Sequence, residues 1–475
     1  MSDRKAIVWF RDDLRLDDNP ALRAAIEQGY LPIPVYVHAP GEEGEWAPGA
    51  ASNAWRHRSL GALASTLEQR GSRLHFAIGN SLDTLRQLAR SCSAETVFWN
   101  RRYEPAVRER DAAIKQALTE DGLDPHSFNA ALLFEPWEIS TQQDTPYKVF
   151  TPFWKAARAA GIDTRLWQAP ERLGPGRNKM PLDGGVPLDA LGLNPSLPWD
   201  KGFWQRFTPG EIGARQALDD FVDDALSGYS KRRDHPPVRG TSRMSPHLHF
   251  GEISPRRVVA AVESCADRSH ADIDKYIAEI GWREFSCHLL YHFPDTATHN
   301  LNPRFANFEW KDPGADMLRA WQQGRTGVPI IDAGMRELWH TGWMHNRVRM
   351  LVASYLTKHM RAHWLHGARW FWDTLVDADL ASNTQGWQWT AGTGADAAPY
   401  FRIFNPVLQA RRFDPEGDYI ARWVPELADL SRAARMEPWQ HAEELSQHDC
   451  DYPARPLVDL SEGRERALAA YKKTS

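Results

Sequence analysis

The sequence has little cysteine and no long apolar run. Its four cysteines, Cys92, Cys265, Cys287 and Cys450, are scattered over 475 residues without CxxC or Cys/His ligand spacing, which argues against a disulfide framework and against a zinc site. They read as reduced thiols. No apolar stretch approaches the roughly 18 to 20 residues that span a bilayer, and the start, MSDRKAIVWFRDD, lacks the apolar core and cleavage pattern of a signal peptide. A cytoplasmic protein without membrane contact is expected. GxGxxG and GxxxxGK(S/T) are missing, so neither a dinucleotide fingerprint nor a P-loop is on offer. So are GxSxG, SxxK and a Ser/His/Asp order for acyl transfer. Near Asp377 and Asp379 no His or Cys completes a metal set, and no metal is expected. The net charge of −5 excludes coating nucleic acid by bulk electrostatics. A polyanion would have to be met by a local patch.

What is present is ordinary globular composition, 42% hydrophobic and 25% charged, with room for two or three domains. Candidate patches are Lys231, Arg232 and Arg233 with Arg239 and Arg243, then Arg336, Arg347 and Arg349, then Arg402, Arg411 and Arg412; each alone also reads as a solvated face. The 21 tryptophans fill cores and also suit a protein that handles flat conjugated molecules. Apolar runs AIVWF, PIPVYVH, RLHFAIG and TVFWN alternate with helix-like stretches, which predicts an α/β domain with an open parallel sheet over residues 1–131. Residues 132–205 are rich in Pro, Gly and Trp, lose periodicity and read as a linker over the surface. Helical patterns dominate 206–475, a larger all-α domain.

Within GTSRMSP, two hydroxyls, backbone amides and Arg243 precede HLHFGEISPRRVV, read as a helix; such a turn can hold phosphate or be an ordinary capping turn. Glu279 and Trp282 share a helix face beside Arg283, which suits a heterocycle or a core Trp with a Glu–Arg pair. Asn346 and Met350 likewise share a face beside Arg347. In DADLASNTQGWQW a helical reading puts Asp379, Asn383 and Trp387 on one face and turns Trp389 away. These residue types fit redox chemistry on an aromatic cofactor better than hydrolysis.

WFRDDLRLDDNPAL, GTSRMSP, IGWREF, WQQGRTGVPIIDAGMRELWHTGWMHNRVRM and DADLASNTQGWQWTAGTGADAAPYFRIFNP together closely resemble the photolyase/cryptochrome family, over almost the whole chain. Within it the sequence is most similar to bacterial class I cyclobutane pyrimidine dimer (CPD) photolyases. The resemblance implies an FAD-binding helical domain. Tyr229, Thr241, Ser242, Arg243, Met244 and Ser245 match its phosphate and ribityl contacts, Asp377, Ala378 and Asp379 match positions near the isoalloxazine and ribityl chain, and Asn383 matches the position facing flavin N5. Trp387 resembles the first member of an electron-transfer chain running through Trp364 and Trp310, and Trp389 the indole that stacks on a flipped lesion. The implied reaction is light-driven repair of pyrimidine dimers in UV-damaged DNA by a monomer. Glu279 and Asn346 would hydrogen-bond the paired bases, Trp282 and Trp389 clasp them and Met350 pack beneath. Arg233, Arg283, Arg347, Arg402 and Gln409 would meet the DNA.

Other branches of the family differ at these positions. A (6-4) photolyase would carry histidines where Asn346 and Met350 fall, and DASH-type cryptochromes depart at Met350 and Trp389. A sensory blue-light cryptochrome usually has an extended tail, whereas this sequence ends shortly after DYPARPLVDL. Glu104 resembles an acid that contacts an antenna chromophore, 5,10-methenyltetrahydrofolate ahead of 8-hydroxy-5-deazaflavin, although the folate-holding cysteine and lysine of some relatives are replaced around Ala297 and Thr298.

Overall fold

A computed structural model describes residues 4–174, 184–265, 268–396, 401–448 and 450–474; parts of the expected linker (175–183) and of the last motif (397–400) lie outside the described residues. The chain divides into two units. One comprises residues up to Pro198 with Phe207–Ser227 and Ser242–Pro294, the other Trp199–Arg206, Gly228–Thr241 and Asp295–Ser475.

In the first unit, strands β1 (Lys5–Phe10), β2 (Leu31–His38), β3 (His75–Ile78), β4 (Ala94–Asn100) and β5 (His126–Phe128) form one parallel sheet in the order β3-β2-β1-β4-β5. Apolar side chains on both faces explain why β1 reads as an unbroken apolar run. Ala6, Val8 and Phe10 enter one buried cluster and Ile7 and Trp9 another. The sheet has one strand more than the four apolar runs predict. β5 is a three-residue, half-buried edge strand, too short to carry a period.

Two further differences from the sequence reading have physical causes. The segment read as a linker contains the helix Phe150–Ala160, whose buried Phe150, Phe153 and Ala157 do follow helical spacing, but the pattern is hidden among Pro- and Gly-rich flanks. The stretch after GTSRM is two helices, Ser245–His249 and Pro255–Glu263, not one. Gly251 breaks it, with φ +58° and no room for a Cβ against the Asp12 and Asp13 backbone, a position only glycine takes easily. Although the helical domain is expected to start at 206, several of the residues that follow bond within the α/β unit. Glu252 accepts from Trp55 Nε1 (2.9 Å) and Gly210 N (2.7 Å), and buried Arg15 donates to the Gly251 carbonyl (2.8 Å).

The second unit is helical. Its buried polar posts are Asp332, accepting from Thr326 and Gly327 backbone N–H groups and the Tyr452 hydroxyl, and Glu337, accepting from Arg206 (2.7 Å) and Tyr419 (2.8 Å). The N-terminal α/β sheet and the C-terminal helical architecture agree with the predicted fold class. No helix among the described residues is long and apolar enough to cross a membrane.

Candidate functional site

In the helical unit the key helix is Leu380–Ala391. Asp379 is its N-cap, accepting from Ser382 N at 2.7 Å, so the DADLASN motif starts a helix because a carboxylate satisfies an orphan N–H. At its other end Lys358 Nζ, fully buried, donates to the Ala391 carbonyl at 2.5 Å and lies 3.2 Å from the Phe401 ring centroid. Burial without a carboxylate holds its pKa well below the usual lysine range.

Between these ends sit the predicted residues. Asn383 is buried, and its Nδ2 donates to the Ala368 carbonyl at 2.9 Å; this fixes the amide and leaves Oδ1 as its remaining acceptor. Trp387 is buried against Phe371 (5.0 Å, 73°) and Trp321 (6.2 Å, 68°), while Trp389 is half-buried on another side, as the helical spacing predicts. Asp377 is paired with Arg349 at 2.8 Å, and Arg349 Nε also donates to the Met344 carbonyl. Ala378 is buried beside this pair. Sequence reasoning missed the partnership: Arg349 figured only in a basic run, and nothing local signals a carboxylate reached through the fold.

The Asn346–Ser354 helix packs against Leu380–Ala391 and presents Asn346 exposed and Met350 half-buried. Arg347 pairs with Asp234 (2.8 Å) and lies 4.4 Å from the Phe413 ring. Arg347, Arg402 and Gln409 line one groove of about 740 Å³. Tyr229 is buried with Arg233 5.3 Å from its ring, and Thr241 is half-buried. Trp364, fully buried, donates Nε1–H to Asn300 (2.9 Å); Trp310 is half-buried. The His363 ring lies 5.0 Å from Trp310 and 5.6 Å from Trp364.

His345 caps the Asn346–Ser354 helix, its Nδ1 accepting from Arg347 N at 3.2 Å. Burial pushes this imidazole down to about 3, and the neutral ring is what allows Nδ1 to accept. A folded-state value below the ordinary value of about 6.5 means the contribution is present above pH ~6.5 and is lost as pH falls toward 3. His345→Asn keeps a capping acceptor without a titrating ring. Urea melts across pH 3.5 to 7 are expected to show the variant's acid limb shallower by up to about one proton, or about 1.4 kcal/mol per pH unit; an unchanged slope would discount the cap.

In the α/β unit, Arg243 of the GTSRMSP motif is at φ +55°, a left-handed conformation rare outside glycine. Ser242 Oγ accepts from Met244 N (3.3 Å). Met244 is buried and Ser245 is exposed. On the helix His270–His292, Glu279 is half-buried and 3.4 Å from Lys275. Arg283 donates to the Ala131 carbonyl (2.6 Å) and lies 3.5 Å from Glu284, so its guanidinium has structural duties as well. Trp282 stacks on Phe150 with centroids 3.7 Å apart and planes 10° from parallel. A Cβ on Gly281 would stand 2.6 Å from the Trp154 ring, so the Phe150–Ala160 helix backs this part of the long helix closely. Neither Phe150 nor Trp154 stood out in the sequence.

Glu104 precedes helix Pro105–Glu120; one carboxylate oxygen accepts from Arg102 (2.9 Å) and the other, Oε2, is buried without a hydrogen-bond partner among the described residues. The crevice at the carboxyl ends of β1 and β2 has only about 20 Å³ free, closed by Arg56 and Arg102 pairing with Asp12 and Glu43. That is far below the hundreds of Å³ of ligand pockets.

Residues 276–473 match the family described as the FAD binding domain of DNA photolyase, and residues 6–171 the family described as DNA photolyase. The chain belongs to the DNA photolyase family. It is 47% identical to the deoxyribodipyrimidine photo-lyase of Agrobacterium fabrum, over 99% of this chain and 98% of that one. The crystal structure of a bacterial class III photolyase from Agrobacterium tumefaciens superposes with a TM-score of 0.94 at 46% identity, covering 100% of this chain and 98% of that chain. Cryptochrome-2 of Arabidopsis thaliana is 36% identical over 99% of this chain and 79% of its own length. Membership of the photolyase family stands; the class I placement is not specifically supported, since the similar solved structure is of class III. The Arg349–Asp377 pair and the oriented Asn383 amide supply fixed charge, donors and an acceptor on packed helices and the turn between them, a set that fits the polar edge of a flavin. Among the described residues no cluster of His, Cys, Asp or Glu could hold a metal.

Proposed function

We propose that the protein is a deoxyribodipyrimidine photo-lyase of the class III kind, repairing cyclobutane pyrimidine dimers in DNA with light and FAD. The observation that carries this reading is the full-length 47% identity to a deoxyribodipyrimidine photo-lyase, and the 46% identity to a class III structure supports the class. FAD held there would supply the light-driven one-electron chemistry that opens the dimer. The chain's own residues bind and orient. Asn383 and the Arg349–Asp377 pair hold the flavin edge, with Ala378 and Asp379 beside them; Tyr229 and Thr241 through Ser245 hold its phosphates and ribityl chain. Glu279 and Asn346 hydrogen-bond the flipped bases, Trp282, Trp389 and Met350 give them apolar surface, and Arg233, Arg283, Arg347, Arg402 and Gln409 meet the DNA. Trp387, Trp364 and Trp310 carry electrons to the flavin. In this reading the helical segment from 206 is the FAD-binding domain, residues 1–131 are the antenna-type domain joined by 132–205, and Glu104, with its Oε2 unpartnered, serves an antenna chromophore, 5,10-methenyltetrahydrofolate ahead of 8-hydroxy-5-deazaflavin. The protein works as a monomer in the cytoplasm.

Purified holoenzyme with chemically reduced flavin is expected to restore dimer-containing oligonucleotides under blue light and not in the dark. Absence of light-dependent repair would favour a sensory role, the second reading, which the 36% identity to a plant cryptochrome keeps in view.

The stack under Trp282 gives a sharper test. Phe150→Leu keeps bulk but removes an aromatic pair worth about 0.5 to 1.5 kcal/mol. Competition binding is expected to show discrimination between dimer-containing and undamaged DNA falling about two- to tenfold, the same energy expressed as a ratio. An equal loss on both DNAs would count against Trp282 as a residue that touches the lesion.

A further inference from the structure

The Trp364 indole has a partner to which the electron path gives no task. Its Nε1–H donates to Asn300 Oδ1 at 2.9 Å, and the ring is fully buried. The Asn300 amide cannot be turned round without loss, because its Nδ2 donates to the Phe305 carbonyl at 3.2 Å. The segment that carries Asn300 is pinned to the helix that carries Trp387. Gln388, fully buried and next to Trp387 in the chain, accepts from Leu301 N (3.0 Å) and donates through Nε2 to the Thr296 (2.8 Å) and His299 (2.9 Å) carbonyls. On the outer side, Phe305 belongs to the buried aromatic cluster against which Trp310 packs. Asn300 is thus tied both to the Trp387 helix and to the cluster beside Trp310, and it meets Trp364 at the atom whose chemistry changes most on oxidation.

An indole that loses an electron becomes a cation, and its N–H turns into a far stronger acid. If that proton leaves, the ring is a neutral radical and the hole is stranded on it. An amide oxygen accepts a charge-assisted and therefore stronger hydrogen bond from the cation, but it is too weak a base to take the proton. The neighbouring His363 ring does not take it either: it is neutral, and its Nδ1 lone pair accepts from Leu365 N at 3.2 Å, which leaves the other nitrogen protonated.

We propose that Asn300 is a positioning residue of the electron path, keeping the Nε1 proton on Trp364 while that ring is oxidised, so that the hole passes to Trp310 instead of stopping in the core. The proposal rests on the assigned order Trp387, Trp364, Trp310 and deepens it. One electron leaves Trp387 for light-excited oxidised FAD, Trp364 refills Trp387, and Trp364 becomes a cation with its N–H bond intact. Trp310 then refills Trp364, and the half-buried Trp310 ring is refilled by an added thiolate, which is oxidised to a thiyl radical and on to disulfide.

The test uses the holoenzyme with oxidised FAD in a Trp310→Phe background, where the hole can go no further than Trp364. Transient absorption after a blue flash distinguishes an indole cation from a neutral indole radical by their visible bands. With Asn300 in place, the cation is expected to persist until the electron returns. Asn300→Asp puts a carboxylate at the same atom. The N–H bond then breaks, a carboxyl O–H bond forms, and a neutral radical is expected, appearing more slowly in D2O. Asn300→Leu fills the space without an acceptor, and the yield of oxidised Trp364 is expected to fall about tenfold, the worth of one charge-assisted hydrogen bond. In the dark, ultraviolet resonance Raman reads the indole N–H directly, with Trp364→Phe picking out the Trp364 band. That band is expected to move toward the position of an unbonded N–H in Asn300→Leu and to stay hydrogen-bonded in Asn300→Asp. A persistent cation in Asn300→Asp, a parental yield or an unmoved band in Asn300→Leu, or a neutral radical with Asn300 itself in place overturns the proposal. Should Asn300→Leu fail to hold FAD, the nearly isosteric Asn300→Asp decides alone. Trp364→Phe separates the two ideas. If it leaves the flash signal unchanged, the assigned path falls; if it removes the long-lived signal while the Asn300 variants match their background, only the role of Asn300 falls.

Discussion

Replacing Trp364 or Trp310 by phenylalanine is expected to reduce light-driven reduction of oxidised FAD to background, while repair by chemically reduced enzyme stays at the parental level. Trp364 is fully buried and Trp310 half-buried, so the pair steps from core toward solvent. The His363 ring beside both is held down to about 4 by burial and is neutral through the physiological range. It therefore adds no positive charge that would oppose forming a cation on either indole. Inward, the Trp387 ring lies on Gly367, one helical turn along the same helix from Trp364. Phenylalanine keeps most of the volume; the lost Trp364–Asn300 hydrogen bond costs about 1 kcal/mol. Visible absorbance under blue light with an external donor reads the first quantity and a dimer-repair assay the second. Photoreduction at the parental rate in both variants would remove these residues from the path, and loss of FAD would indicate a structural role instead.

Much of this site is legible in the sequence because its determinants are local. Asp379, Asn383 and Trp387 share a face by helical spacing, and an aspartate cap starts that helix. The sheet is legible because a strand buried on both faces has to read as an apolar run, as AIVWF does. What the sequence hides is either short or distant. Three residues of β5 cannot show a period. Phe150 and Trp282 meet face to face across a long stretch of chain, as do Arg349 and Asp377 across a shorter one, and no local rule ties such pairs. Arg464 sits in a helix, Leu460–Lys472, whose charged residues look like any solvated face, yet it lines the same groove as Arg347 and Arg402. The break at Gly251 comes from the backbone it touches, not from its neighbours in sequence.

The other large effect is expected from a single methyl group, in Gly367→Ala. A Cβ at this position would stand 2.0 Å from Cη2, 2.4 Å from Cζ3 and 2.5 Å from Cζ2 of the Trp387 ring. Gly367 is buried in the helix Trp364–Thr374, and the indole is boxed in by Phe371 and Trp321, so neither partner can give way by a rotamer change alone. Overpacking of this kind costs about 1 to 3 kcal/mol and sometimes more, set against the fraction of a kcal/mol that alanine gains over glycine in a helix. The variant is expected to melt several degrees lower and, where it still holds FAD, to photoreduce it far more slowly, because the displaced ring is the one assigned to pass the electron. A double-mutant cycle isolates the clash. In a Trp387→Leu background the ring is gone, so adding Gly367→Ala is expected to cost little or to stabilise. Equal costs in both backgrounds would mean that the glycine serves the helix rather than the indole.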